Sequence, residues 1–529
     1  MTQWAGAPQQ REQMVLFAER LDDALPRDHT VRLLDEILAR ITWTKWETAY
    51  HGRLGQPAIH PRVVTGVLLY GMMTRIRSSR ALEEALVVRL DFRWLAEGRT
   101  IDHTTLSEFR RRHPAELKDL FVQVCQIART MGLLSLQRLA FDGTRVRANN
   151  RRSGTRTPAE LRLEQAECEA KFAAYQAQAE AEDARDEEAF GLQTPHELPA
   201  ELADAQRRQQ KIEAALQELA RLKETHSQPP KRLPITDPQS RLMPNKEKGY
   251  APNYTPTATV DVANGLIIEA TVLGVVNESE HLIPALEAVQ EQFDLPQPPP
   301  EVLADGLMGT AANLARAEEL GVTLYSPCPI PDPENNPALR ADPTQPVPAD
   351  QWDRLPTQKV KVGGKPGTQL DKSAFMYDAQ QDCYWCPAGK ALAYKLTTTE
   401  TRKGRTRIRR HYQAAPERCA NCPLRDRCLK GKTKARLIYR EHQEVYRERL
   451  AQRMAAPEAQ EKYAQRRHAG ERPFAVIKHG FGLRQFLLRG LSSVQSEWHW
   501  ASTAFNLLRL MSMLRSRAGP LTALLPLPP

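Results

Sequence analysis

Apolar positions recur at helical spacing through the first 135 residues. The run "HPRVVTGVLLYGMMTRIRSS" carries a wide apolar stripe, and "RALEEALVVRLDFRWLAEG" repeats the spacing up to Gly98. In the following "IDHTTLSEFRRRH", Thr105 and Glu108 form a capping-box pattern that predicts a short helix, with Arg110, Arg111 and Arg112 on its next turn. A basic helix behind a tight turn suits the recognition half of a helix-turn-helix, and equally a solvated basic face.

Past residue 135 the period changes. "RLAFDG" predicts a short strand ending in Asp142. Residues 151–250 interrupt with two long Ala-, Glu- and Gln-rich runs, which predict a projecting helical hairpin. Its apolar positions are mostly alanine, so a spacer, a DNA-clamping arm and a dimerising coiled coil all fit. Strands resume in "TPTATVDVANGLIIEATVLG", a hairpin around Ala263, Asn264 and Gly265. "ESEHLIPALEAVQEQF" reads as a helix, and "PEVLADGLMGTAANLARAEELGVTLYSP" as a strand ending in Asp305, a turn, a helix and a further strand. Residues 331–450 break this rhythm with proline, charge and cysteine, and too few apolar residues to hold a core by packing alone. Long helices are expected from about 455, the last of them packing back on the core. Pro473 is tolerated in a first helical turn, which places Glu471 at or near a helix start, with Lys478 two turns on along the same face.

Charge and cysteine usage narrow the function classes. The 529 residues hold 74 Lys and Arg against 64 Asp and Glu, a net charge of +10, which favours an anionic polymer as partner. The first residues lack the pattern of a secretory signal, and apolar runs are too short to span a bilayer, so a soluble cytoplasmic protein with no membrane partner is expected. Five of the eight cysteines lie between Cys383 and Cys428. In a reducing compartment that crowding suits a metal before disulfides. Spacing alone pairs two C-x2-C knuckles, Cys383 with Cys386 and Cys419 with Cys422, and leaves Cys428 spare. An iron–sulfur cluster or reduced thiols without metal remain alternatives. His281 and His468 lack spaced partners.

Asp142 alone would be turn chemistry. Asp305, however, ends its strand in the same way, and strand ends are where α/β sheets display catalytic side chains. With Glu471, three carboxylates can hold two Mg²⁺ or Mn²⁺ ions roughly 4 Å apart. Arg145, Arg147, Arg466, Arg467 and Lys478 would hold a DNA backbone, as would the cationic run "TRKGRTRIRRHYQ".

At these motifs the chain resembles the DDE transposases of bacterial insertion sequences, in the subgroup with a helical N-terminal transposase domain and a C-terminal DDE domain. The resemblance rests on "RSSRALEEAL", "DHTTLSEFRRRH", "FDGTRVRAN", "ADGLMGTAANL", "CANCPLRDRC" and "YAQRRHAGERPFAVIKHGFGLRQFLLRGL", from about residue 50 to 515. It implies Asp142, Asp305 and Glu471 as the catalytic and metal-binding acids, and Tyr463, Arg467 and Lys478 as the signature around the third. Arg472 separates Glu471 from Pro473, where relatives have the two adjacent, and "DGLMG" lacks their aromatic residue. It further implies Cys386, Cys419, Cys422 and Cys428 as ligands of a structural Zn²⁺, with Cys383 the alternative. The implied fold is mixed α/β, with a ribonuclease-H-like catalytic domain built from 136–150, 251–330 and a helical 451–529. Residues 1–135 would be the DNA-binding domain, 151–250 a helical-hairpin insertion and 331–450 a Cys-rich basic insertion. The implied activity is metal-dependent cleavage and transfer of strands of double-stranded DNA at terminal inverted repeats and target DNA, by a homodimer in the bacterial cytoplasm, at the nucleoid when bound to DNA. A degenerate DNA-binding protein and a metal-dependent nuclease without strand transfer are the alternatives.

Overall fold

The computed structural model describes residues 20–50, 57–150, 154–189, 200–225, 229–244, 249–362, 365–402 and 405–516. They gather into two compact units, one from Met1–Glu278, Glu291–Leu295 and Arg467–Pro529, the other from Ser279–Gln290 and Pro296–Arg466. The chain is mixed α/β, helical at the front and rich in sheet towards the C-terminal half.

In the first unit, helices Thr30–Leu38, Pro61–Met73 and Pro114–Thr130 pack with the C-terminal helix Leu491–Ser516. Pro61 and Pro114 stand at first helical positions, where the missing N–H costs nothing. Leu491–Ser516 is buried on all sides from Ser496 to Leu507, as a central core helix must be.

Two expectations for this region change. The helix His103–Arg112 is capped by Asp102, whose carboxylate accepts the Thr104 and Thr105 N–H groups at 2.9 Å each, and not by Thr105. Glu108 pairs with Arg112 at 2.7 Å instead of reaching back. The apolar run ending at Gly98 is two helices, Ser79–Val88 and Leu90–Leu95. The chain extends at Arg89, where Asp91 accepts from Tyr70 Oη at 2.8 Å, Arg89 Nε at 3.0 Å and the Phe92 N–H at 3.0 Å.

Strands β1 (Arg138–Gly143), β2 (Val146–Arg147), β3 (Thr155–Arg156), β4 (Leu233–Pro234), β5 (Arg241–Pro244), β6 (Tyr250–Asp261) and β7 (Leu266–Leu273) complete this unit. β1, β2, β5 and β7 all pair antiparallel with the long β6. The β6–β7 hairpin turns at Gly265, whose φ of 65° suits glycine, as the sequence predicts. The C-terminal helix covers β7 with polar side chains: Gln495 Oε1 accepts Val272 N–H at 2.6 Å and Asn506 Oδ1 accepts Ile267 N–H at 2.9 Å. An exposed strand edge is thereby satisfied. The two long helices of the insertion are Pro158–Ala189 and Ala200–Thr225, packed together around Leu161, Cys168, Ile212 and Ala215.

In the second unit, β8 (Glu301–Leu303) and β9 (Thr323–Tyr325) pair parallel across helix Ala311–Glu319. β10 (Thr357–Val362) and β11 (Lys365–Leu370) form a hairpin. β12 (Met376–Asp378), β13 (Cys383–Trp385), β14 (Ala391–Arg402), β15 (Arg405–Ala414) and β16 (Leu437–Glu441) form an antiparallel sheet in that order. Contrary to the sequence expectation, this stretch holds a core of its own, around Leu355, Leu370, Phe375, Tyr384, Leu392 and Tyr412. The apolar residues are few, but tyrosines supply the volume: Tyr377, Tyr384 and Tyr412 contact one another with ring centroids 5.1–6.0 Å apart.

Candidate functional site

β1 is anchored by Leu139, Ala140 and Phe141, all fully buried, and delivers Asp142 half-buried at its C-terminal end. Asp142 Oδ1 accepts the Gly143 N–H at 2.9 Å. Glycine at 143 leaves room for a neighbour, because a Cβ there would stand 3.1 Å from Glu278 Cγ and Oε1. Glu278 is therefore a second carboxylate beside the Asp142 turn. The sequence reading passed it over, although its signal is the acidic "NESE" that follows β7.

Glu471 lies exposed in the middle of helix Arg466–Ala475, not at its start. Pro473 sits inside the same helix. It cannot donate to the Ala469 carbonyl, and the chain then widens into a π turn over Val476–Gly480. That turn carries Lys478, whose Nζ bonds Thr144 Oγ1 and, at 2.8 Å, the Arg145 carbonyl. Beyond it, Arg147 N–H donates to the Arg484 carbonyl at 3.2 Å and Phe486 N–H to the Arg147 carbonyl at 2.9 Å. The segment that follows Glu471 is thus bonded along the turn that follows Asp142, within one unit. Arg145 is exposed, with Nη1 donating to the Pro244 carbonyl at 2.9 Å. Arg467 is exposed one residue into the Glu471 helix.

Asp305 belongs to the second unit, two residues past β8, with Oδ1 accepting the Leu307 N–H at 2.8 Å. Tyr463, half-buried on helix Pro457–Ala464, is in that unit too. Its neighbour Lys462 ties the helix to β8 and β9 through Glu301, at 2.5 Å, and the Tyr325 hydroxyl, at 3.3 Å.

Of the three arginines on the basic helix, Arg111 and Arg112 face solvent. Arg110 turns inward, donating to the Arg77 carbonyl at 2.6 Å, and burial pushes its pKa down to about 10.

Four cysteines converge elsewhere, in the second unit. Cys386, Cys419, Cys422 and Cys428 line one cavity of about 30 Å³. Burial pushes the Cys428 thiol up to about 12, and the other three thiols push it the same way. Cys383 does not line that cavity; burial and the nearby Asp378 and Asp382 raise its pKa. All are free thiols. Among the described residues, no group of three or more His, Cys, Asp or Glu side chains is placed to hold a metal ion. The donor types nonetheless differ in kind: carboxylate oxygens around Asp142 suit hard divalent cations, and thiols suit soft ones.

Two family models match the chain. A transposase domain (DUF772) matches residues 19–112 and a transposase DDE domain matches residues 385–511. Both matches are to transposase domains, and together they support a DDE-type transposase. The DDE match includes Glu471, Lys478 and the four cavity cysteines, and leaves Asp142 and Asp305 outside it. No curated protein matches the chain. No helix among its described residues is long and apolar enough to cross a membrane.

Proposed function

We propose that this transposase binds the terminal inverted repeats of an insertion sequence and cuts and rejoins DNA strands there, with Asp142, Asp305 and Glu471 as its catalytic carboxylates. The observation that carries the reading is the Lys478 contact with Thr144 and Arg145, because it fastens the segment after Glu471 to the strand end that bears Asp142. A ribonuclease-H-like catalytic domain is the fold this reading expects, and the antiparallel β1–β6–β7 meander of the first unit and the parallel β8–β9 pair of the second each support it.

Two Mg²⁺ or Mn²⁺ ions held by these carboxylates would supply Lewis acidity to the attacking water or 3′-hydroxyl and to the leaving oxygen. The chain's own groups do the rest. Arg145, Tyr463, Arg467 and Lys478 position the DNA end, and Arg111 and Arg112 contact phosphates from the basic helix while Arg110 braces it. Two ends must be joined, so the active assembly is a homodimer, working on DNA in the cytoplasm.

The test is strand cleavage on DNA bearing the element's own ends, with Mg²⁺ or Mn²⁺. Asp142→Asn, Asp305→Asn and Glu471→Gln should each reduce nicking by at least about 10²-fold, with end binding retained. Wild-type binding without any nicking would reduce the protein to a DNA-binding one, and nicking without joined products would reduce it to a nuclease. Crosslinked end complexes containing one protomer would overturn the dimer.

A further inference from the structure

We propose that Arg77 is a positioning residue for strand cleavage. From the turn between helices Pro61–Met73 and Ser79–Val88 it sets the loop that lies along the chain leaving Asp142, and Arg110 ties that turn to the basic helix. The inference rests on the strand-cleavage reading and adds to it two arginines that act through other residues. The chain leaving Asp142 runs into β2, which β6 covers along one edge through Val146 and Arg147. The other edge is met by a loop. Arg147 N–H donates to the Arg484 carbonyl at 3.2 Å, Phe486 N–H to the Arg147 carbonyl at 2.9 Å, Gln485 Nε2 to the Ala148 carbonyl at 3.2 Å and Asn149 Nδ2 to the Leu487 carbonyl at 2.6 Å. The path of residues 484–487 therefore decides where the chain beyond Asp142 lies, and no helix or strand holds that path.

Side chains hold it instead. Arg77 Nη1 donates to the Gly482 carbonyl and Nη2 to the Gln485 carbonyl, at 2.8 Å each, and Nη2 also reaches Glu497 Oε1 at 2.6 Å. Arg75 Nε donates to the Gly480 carbonyl. A planar guanidinium serves three acceptors at fixed angles, which the compact ammonium of a lysine does not. The turn that presents these two arginines is itself held in an unfavourable shape. Arg75 has φ of 66°, a costly region for a residue with a Cβ. Ile76 N–H donates back to the Gly71 carbonyl at 2.7 Å, and a Cβ on Gly71 would lie 2.5 Å from Leu82 Cδ2 and 2.7 Å from the Ile76 carbonyl oxygen. Backbone strain of this kind persists where the surroundings over-determine it, and it gathers at working sites.

The support continues to the basic helix. Arg110 Nη1 donates to the Arg77 carbonyl at 2.6 Å, while Arg111 and Arg112 on the same helix face solvent. Arg77, Arg110, Leu487, Leu488, Glu497 and Trp500 line one cavity of about 20 Å³, so helix, turn and loop meet with little space between them. Glu497 already pairs with Arg77, and charge balance does not call for a second guanidinium there. What Arg110 adds is a fixed distance between the helix and the turn. Phosphate contacts made by Arg111 or Arg112 then bear on that turn, and binding energy gained at the DNA end helps to hold the chain beyond Asp142. Buried arginines that only stabilised the fold would leave the cleavage rate of bound DNA unchanged.

Single-turnover nicking of DNA bearing the element's own ends, measured beside equilibrium end binding, separates the two roles. Arg77→Lys should keep end binding and lower the rate at saturating DNA by roughly 10- to 100-fold, since a shift of about 1 Å at the reacting groups suffices for such a loss. Asn149→Ala removes one bond of the same ladder and should lower the rate in the same direction. The double variant should lose less than the product of the two losses, because both act through residues 484–487. End DNA should slow hydrogen exchange at Arg147 and Phe486 in the wild type, and should fail to slow it in Arg110→Met that still binds ends. A wild-type rate in Arg77→Lys, a rate loss matched by an equal loss of binding, or fully multiplicative losses in the double variant would overturn the inference. Equal slowing of exchange in wild type and Arg110→Met would overturn the tie to the basic helix. Should Arg77→Lys not fold, a wild-type rate in Asn149→Ala overturns the inference in its place. Wild-type protein that binds ends without nicking them fails the strand-cleavage reading instead, and the exchange comparison still decides the part of Arg110.

Discussion

Arg77→Met should loosen the loop that runs from the π turn to the C-terminal helix. Arg77 is 13% exposed and Glu497 7%, and they pair at 2.6 Å. Arg77 also donates to the Gly482 and Gln485 carbonyls, at 2.8 Å each. The other oxygen of Glu497 accepts the Leu487 and Leu488 N–H groups at 2.8 and 3.1 Å. Removing the guanidinium leaves a buried carboxylate without its countercharge, which costs about 3–5 kcal/mol. At 1.36 kcal/mol per factor of ten, the Leu487 and Leu488 amides should exchange roughly 10²- to 10⁴-fold faster if the loop opens locally. Hydrogen exchange read by mass spectrometry suits the question, since a chain of two units gives no single unfolding free energy. The Arg77→Met/Glu497→Gln double variant should recover part of the loss, because a neutral amide at position 497 needs no countercharge and its carbonyl still accepts the two N–H groups. Wild-type exchange at Leu487 and Leu488 in the single variant would refute the reasoning, as would a coupling between the two sites below about 0.5 kcal/mol.

His499 is packed against β7 and held neutral, since burial pushes its pKa down to about 4. A depressed histidine contributes stability in full above its unfolded pKa near 6.5 and loses it as pH falls towards 4, about 3 kcal/mol in all, so His499→Gln should flatten the fall in thermal stability across that window; an unchanged slope would remove His499 from the account. Gly389→Ala should destabilise the second unit by about 2 kcal/mol or more, seen as faster limited proteolysis there, because the left-handed backbone and the Thr344 carbonyl both resist a Cβ. Lys478→Met should lower strand cleavage by roughly 10- to 100-fold with smaller loss of end binding, since Lys478 splints the Asp142 turn; equal losses in cleavage and binding would make it a phosphate contact alone.

Periodicity made the helical front, the β6–β7 hairpin, the β8–helix–β9 unit and the two inserted helices legible in the sequence, because each is specified by local pattern and turn chemistry. What was not legible depends on partners distant in the chain. The break at Arg89 comes from the bonds converging on Asp91, among them one from Tyr70, and no window around Arg89 contains that hydroxyl. Arg110 looks like its neighbours Arg111 and Arg112 until the Arg77 carbonyl claims it. Glu278 carries only the acidic "NESE" some residues past β7, and nothing in that window announces its place beside Gly143. The core of the Cys-rich stretch escaped because counting apolar residues undervalues tyrosine, whose ring packs while its hydroxyl bonds Asp382, at 2.9 Å from Tyr377 and 2.7 Å from Tyr412.

The Glu471 region shows how a local rule can be right about the residue and wrong about its consequence. Proline does prefer a first turn, yet Pro473 is buried inside a helix that begins seven residues earlier at Arg466. The helix gives up the bond to Ala469 and then passes into a π turn over Val476–Gly480, closed by the Phe481 N–H donating to the Val476 carbonyl at 2.9 Å. Each residue of a π turn sweeps a smaller angle than the roughly 100° of an α-helix, so Lys478 falls behind the face set by Glu471. An unbroken α-helix would hold both side chains on one stripe, seven residues apart. The widened turn sends Lys478 instead to Thr144 and Arg145 while Glu471 stays exposed. One helix thereby does two things at once: it anchors itself to the Asp142 turn through the lysine and keeps the glutamate at the surface, where an incoming ligand can reach it.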